Sequence, residues 1–103
     1  FAGATYGGYR CVILKSASEE VFCHELGHVV WYEAMLNPKF VARLQSCYAS
    51  EKLKYNLYNA GYARSTKEEY FAECYKMWEL SNSQLKRMLP NTYKLVTDVV
   101  ASL

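Results

Sequence analysis

The sequence predicts a predominantly helical α+β domain. An N-terminal β-hairpin edge is followed by a long helix carrying both histidines, a later helix carrying paired glutamates, and further helices to the C-terminus. Three observations carry that prediction. Apolar residues recur at helical spacing through most of the chain, as Phe71, Cys74, Tyr75 and Trp78 do at i, i+3, i+4 and i+7. Capping residues and prolines bracket the periodic segments. Extended residues flanking a turn signal occur only at the start. With 103 residues, 51% of them hydrophobic and 21% charged, the chain reads as one globular domain, residues 1–103. A domain of that size can bury a modest core without metal or disulfide staples.

The opening segments 2–6 and 9–15 flank Gly7-Gly8, a pair that tolerates the positive φ of a two-residue hairpin turn. Ser16, three residues before Glu19, makes a capping box, and Pro38 after Asn37 supplies a stop, so a helix is expected from about 17 to 36. From Leu26 to Leu36 this helix is apolar on nearly every side, which marks a core helix. Gly27 inside it costs about 1 kcal/mol of helix propensity relative to alanine, so close approach of another backbone is expected there. Pro38 opens a second helix with Phe40, Val41, Leu44 and Cys47 or Tyr48 at helical spacing. Residues 56–66, with Asn59, Gly61 and Ser65, read as a loop. Ser65 and Glu68 form a capping box for a helix over 66–80. Ser81 or Ser83 caps a short helix that ends before Pro90. Residues 92–102, with Leu95, Val96, Val99 and Val100, form the last amphipathic helix.

The net charge of +2 is spread along the chain without a basic cluster, so no nucleic-acid partner is expected. Apolar runs fall short of the roughly 20 residues that span a bilayer, so no membrane partner is expected either. Oligomeric state is not encoded in any pattern here. Cys11, Cys23, Cys47 and Cys74 include no CxxC pair. Cys23 and Cys74 fall in helical patterns, where free thiols acting as small buried hydrophobes are expected ahead of disulfides.

The chemistry concentrates in His24-Glu25-Leu26-Gly27-His28, which holds both histidines of the chain. A spacing of four puts the two imidazoles on one helical face, where they can hold a single Zn2+, with Glu25 placed to reach a water at the ion. Two ionisable rings and a carboxylate on an apolar helix are costly to bury without partners. A catalytic zinc takes three protein ligands, and with no third histidine the remaining one must be a carboxylate or a thiolate. Glu69 sits on a separate capped helix with Glu73 one turn further on. One can ligate while the other orients a ligand imidazole, or both can form a solvated helix face opposite the Phe71 stripe. A site in which one or two of Cys23, Cys74 or Glu69 join His24 and His28 to close the coordination would instead make a zinc-stabilised binding module.

The segment Tyr62-Ala63-Arg64-Ser65-Thr66-Lys67-Glu68-Glu69-Tyr70-Phe71-Ala72-Glu73-Cys74-Tyr75 resembles the tyrosine-to-glutamate segment of the anthrax-lethal-factor-like zinc peptidases, the group that includes the Pro-Pro endopeptidases. Those enzymes pair an H-E-x-G-H helix with Tyr-x6-Glu-[aromatic]-Phe-Ala-Glu, and Tyr62 stands seven residues before Glu69. The stretch Leu89-Pro90-Asn91-Thr92-Tyr93 before an apolar helix is also similar to the family's C-terminus.

The resemblance implies a gluzincin-like catalytic domain and a zinc-dependent endopeptidase. His24, His28 and Glu69 would be zinc ligands, Glu25 the general base, Tyr62 the phenol that stabilises the tetrahedral intermediate, and Glu73 the acid behind a ligand imidazole. The strand through Cys11, Val12 and Ile13 would bind a peptide or protein substrate by main-chain pairing.

Val29-Val30-Trp31-Tyr32 departs from the acidic residues that follow the second histidine in lethal factor. Family catalytic domains also carry structure before the hairpin, so native residues upstream of Phe1 are expected, as is a secreted protein. Competing expectations are a regulatory metallopeptidase that shares H-E-L-G-H but lacks the Tyr62-to-Glu73 pattern, an inactive catalytic fragment, and the binding module above.

Overall fold

Helix α1 (Glu19–Ala34) and helix α4 (Lys67–Leu80) pack against each other across the middle of the computed structural model, which describes residues 4–6, 9–11 and 19–103. The described chain is predominantly helical. Strands β1 (Ala4–Tyr6) and β2 (Tyr9–Cys11) pair antiparallel, with Thr5 opposite Arg10 and Tyr6 opposite Tyr9, and β2 runs alongside α1. The Gly7-Gly8 turn, the Ser16 cap and the expected strand residues Val12 and Ile13 lie outside the described residues.

Close packing of α1 on α4 depends on Gly27. A Cβ there would lie 2.8 Å from the Cα and 2.9 Å from the carbonyl oxygen of Ala72, so only glycine lets the two backbones meet at this point. Around that contact Val30, Trp31 and Ala34 of α1 join Phe71, Cys74, Tyr75 and Met77 of α4 in one apolar core. The Trp31 and Phe71 rings lie 5.0 Å apart, a distance at which aromatic pairs add to simple burial. Trp78 is half-buried and donates its indole N–H to Thr97 Oγ1 at 3.0 Å. Cys23, Cys47 and Cys74 are buried free thiols, as their helical positions led us to expect.

Helix α2 (Pro38–Glu51) begins as predicted, with the Asn37 side chain accepting from the Lys39 N–H at 3.0 Å and Pro38 in the first turn. A 3-10 turn (Lys52–Lys54) follows, and then a short helix, α3 (Ala60–Ala63), inside the segment expected to be loop. The cap of α4 is Thr66 rather than Ser65. Its hydroxyl accepts from the Glu69 N–H at 3.1 Å, so the helix starts one residue later than the capping box implied.

Helix α5 (Asn82–Met88) leads into α6 (Pro90–Ala101), which begins two residues before the expected start. The reason is a cap supplied from elsewhere in the chain. Glu51, at the end of α2, is buried and accepts from the N–H groups of Asn91 at 3.1 Å and Thr92 at 2.9 Å and from Thr92 Oγ1 at 2.7 Å. A carboxylate at a helix N-terminus satisfies orphan donors and complements the macrodipole. Replacing Glu51 by alanine leaves the two buried Thr92 donors without their carboxylate acceptor and is expected to cost about 3 kcal/mol. Chemical denaturation of the purified variant measures this loss; an unchanged midpoint would mean that water replaces the carboxylate.

Candidate metal centre

Three elements bring the candidate residues together. Helix α1 presents His24, Glu25 and His28, α4 presents Glu69 and Glu73, and α3 carries Tyr62. The Nε2 atoms of His24 and His28 are 3.2 Å apart. Glu69 Oε1 lies 2.6 Å from His28 Nε2 and its Oε2 lies 3.6 Å from His24 Nε2. Among the described residues, the ligating atoms of His24, His28 and Glu69 fall within 4.8 Å of one another and can hold a metal ion.

Zinc fits this donor set. A tetrahedral ion with bonds of 2.0–2.1 Å has ligand-to-ligand edges of about 3.3 Å, which is the scale of the separation between the two nitrogens. Glu69 Oε2 is buried without a hydrogen-bond partner, which is an acceptor left for a cation. The Nδ1 of His24 lies 2.7 Å from Glu73 Oε2, an arrangement in which a proton held on Nδ1 leaves Nε2 as the atom that can ligate. Two imidazole nitrogens and one carboxylate would supply three protein ligands to such an ion.

The residues around the ligands set their charge. Glu73 is 3% exposed; burial alone would raise its pKa, but the His24 hydrogen bond and the Lys76 ammonium outweigh burial and hold it below the usual carboxylate range. Burial pushes His24 down as well, yet the carboxylates of Glu73, Glu69 and Glu25 reverse that and raise it. Burial prevails at His28, whose pKa is lowered, which keeps the ring neutral and able to ligate. The Glu69 carboxylate beside Tyr62, followed by burial, pushes that phenol upward, so its hydroxyl stays protonated. Tyr62 is 55% exposed and its hydroxyl is 3.4 Å from His24 Nε2. His24, Glu25, Tyr62 and Lys76 line an open cleft of about 300 Å³.

All six residues expected at a site on the helices are therefore together. Glu73 is a buried partner of His24, which overturns the solvated-face alternative for it, and neither Cys23 nor Cys74 belongs to the metal-ligating group among the described residues. The backbone of Cys11 ends β2, while Val12 and Ile13 lie outside the described residues.

Sequence reasoning missed Asn59, Tyr55 and Lys76. Glu73 Oε1 accepts from Asn59 Nδ2 and, at 3.2 Å, from Lys76 Nζ. Asn59 Oδ1 in turn accepts from the Tyr55 hydroxyl at 2.9 Å. The only trace of this chain in the sequence is that Asn59 precedes Tyr62 by one turn of helix.

A model of the family described as anthrax toxin lethal factor, N- and C-terminal domain, matches residues 9–99. Neither the curated proteins nor the solved structures contain a significant match.

Proposed function

The chain belongs to the anthrax toxin lethal factor N- and C-terminal domain family, and from that premise we propose that it is a zinc-dependent endopeptidase of gluzincin type. One observation carries the reading. Two histidine nitrogens and a buried glutamate oxygen that accepts no hydrogen bond converge on one point, and His24 joins that group to a cleft lined also by Glu25 and a protonated Tyr62. That combination supplies a metal, a base and an oxyanion donor in one place.

His24, His28 and Glu69 would hold the ion. Zinc, when bound there, lowers the pKa of a water to about 7 and polarises a carbonyl. Glu25 takes the proton of the attacking water as its oxygen bonds to the peptide carbonyl carbon. The Tyr62 hydroxyl donates to the oxyanion that develops on the carbonyl oxygen. As the C–N bond breaks, Glu25 returns the proton to the leaving amine. Glu73 keeps His24 in the tautomer that ligates through Nε2.

The substrate in this reading is an extended peptide that pairs with the edge of β2 through the strand containing Cys11, Val12 and Ile13. The placement of β2 alongside α1, with β1 as its single strand neighbour among the described residues, supports it.

Mass measurement under native conditions tests the metal assignment. One zinc per chain is expected, lost in His28→Ala and Glu69→Ala. Tyr62→Phe should keep its zinc and lose about 100-fold in kcat, the usual cost of removing one oxyanion donor. A Tyr62→Phe chain that cleaves peptides at the normal rate would remove the phenol from the mechanism.

A further inference from the structure

We propose that Asn59 is a positioning residue that fixes, from one anchor, both the ligating nitrogen of His24 and the arm that carries Tyr62. The proposal rests on the metallopeptidase reading above and adds a residue to it. A buried carboxylate can rotate, and Glu73 serves His24 only while one oxygen stays aimed at Nδ1. Its other oxygen is held by two donors, the Asn59 amide and the Lys76 ammonium.

These two donors differ in kind. Lys76 brings a mobile point charge on a flexible stem, whereas an amide N–H is directional. A carboxylate offers only acceptors, so the Asn59 nitrogen must face Glu73 and its oxygen must face Tyr55. Tyr55 is fully buried in the core, and its hydroxyl fixes that orientation. The path from core to metal ligand is thus Tyr55 to Asn59 to Glu73 to His24.

The same asparagine opens α3. Its carbonyl accepts from the Ala63 N–H at 3.0 Å, which sets the turn from which Tyr62 projects toward His24. Losing the amide donor should therefore disturb the metal ligand directly, while the backbone bond that opens α3 remains.

The test measures zinc affinity by chelator competition and the visible absorption of the cobalt(II)-substituted full chain. Asn59→Asp keeps the side-chain shape and the acceptor for Tyr55, but removes the donor and sets a like charge against Glu73. It is expected to weaken zinc about tenfold and shift the cobalt band, the usual scale for a partner one layer behind a ligand. Tyr55→Phe removes only the hydroxyl that orients the amide and should weaken zinc about threefold, so the test survives if Asn59→Asp fails to fold. Tyr70→Phe, which deletes a buried hydrogen bond to Thr92 within the core, controls for general destabilisation and should leave zinc affinity unchanged.

Wild-type zinc affinity and an unshifted cobalt spectrum in Asn59→Asp, or in Tyr55→Phe should the former not fold, would overturn the role of Asn59 alone. A wild-type chain that takes up no zinc would overturn the metallopeptidase reading and this proposal together.

Discussion

Replacing Glu25 by glutamine is expected to lower kcat by about 10³-fold while one zinc remains bound per chain, within the range that removal of a general base produces. Glu25 follows His24 on α1 and lines the cleft, but it lies outside the group of atoms that converge as ligands. Glutamine keeps the side-chain length and its hydrogen-bonding reach and loses the ability to accept a proton. Were Glu25 a ligand, the substitution would release zinc; were it a surface charge on the helix, cleavage would continue. Steady-state kinetics and native mass measurement on the same preparation separate these outcomes.

Changing Gly27 to alanine is expected to damage stability and metal binding together. The added methyl group would sit 2.8 Å from the Ala72 Cα and 3.1 Å from the Tyr75 Cβ, and the backbone of α4 cannot turn aside as a flexible side chain can. Forcing packed elements apart costs roughly 3 kcal/mol, offset by about 1 kcal/mol from alanine's better helix propensity. The net loss of about 2 kcal/mol corresponds to a fall of about 10 °C in Tm for a domain of this size. Gly27 lies between His24 and His28, and Ala72 lies one turn after Glu69, so separating the helices also draws Glu69 away from His28 Nε2, now 2.6 Å distant. Zinc affinity should fall about tenfold, as when other supports of a metal ligand are disturbed. Thermal unfolding of the zinc-free chain and chelator competition measure the two effects separately, and wild-type values in both would show that the helices are not held apart by this contact.

What the sequence makes legible is what local chemistry decides. Helix α2 announces itself through Asn37 and Pro38, α4 through its hydroxyl cap and the Phe71 stripe, and the candidate metal-ligating pair through the spacing of His24 and His28. Gly27 was readable as a close approach because its helix-propensity cost had no other evident return. Where two neighbouring hydroxyls compete, as at Ser65 and Thr66, the pattern locates the helix start only to within a residue.

The rest depends on partners distant in the chain. The early start of α6 follows from Glu51, a residue on another helix whose capping role no local pattern near Pro90 can show. Glu69 and Glu73 look alike in sequence, one helical turn apart. Glu73 is buried because α1 closes over it and places His24 against it, and that is a property of the packed pair. Asn59 looked like a loop residue for the same reason: its value lies in the Glu73 carboxylate and Tyr55 hydroxyl that tertiary packing brings to either side.

The most direct measurement is mass-spectrometric cleavage profiling of the zinc-loaded chain against a mixed peptide library with proline-rich members, alongside chelated protein and the Glu25→Gln variant. Peptide-bond cleavage at defined sites by the zinc-loaded chain, absent from both controls, is the predicted result. A folded chain holding one zinc that cleaves no peptide, or cleavage that persists in Glu25→Gln, would contradict the assignment of this site as a peptidase centre.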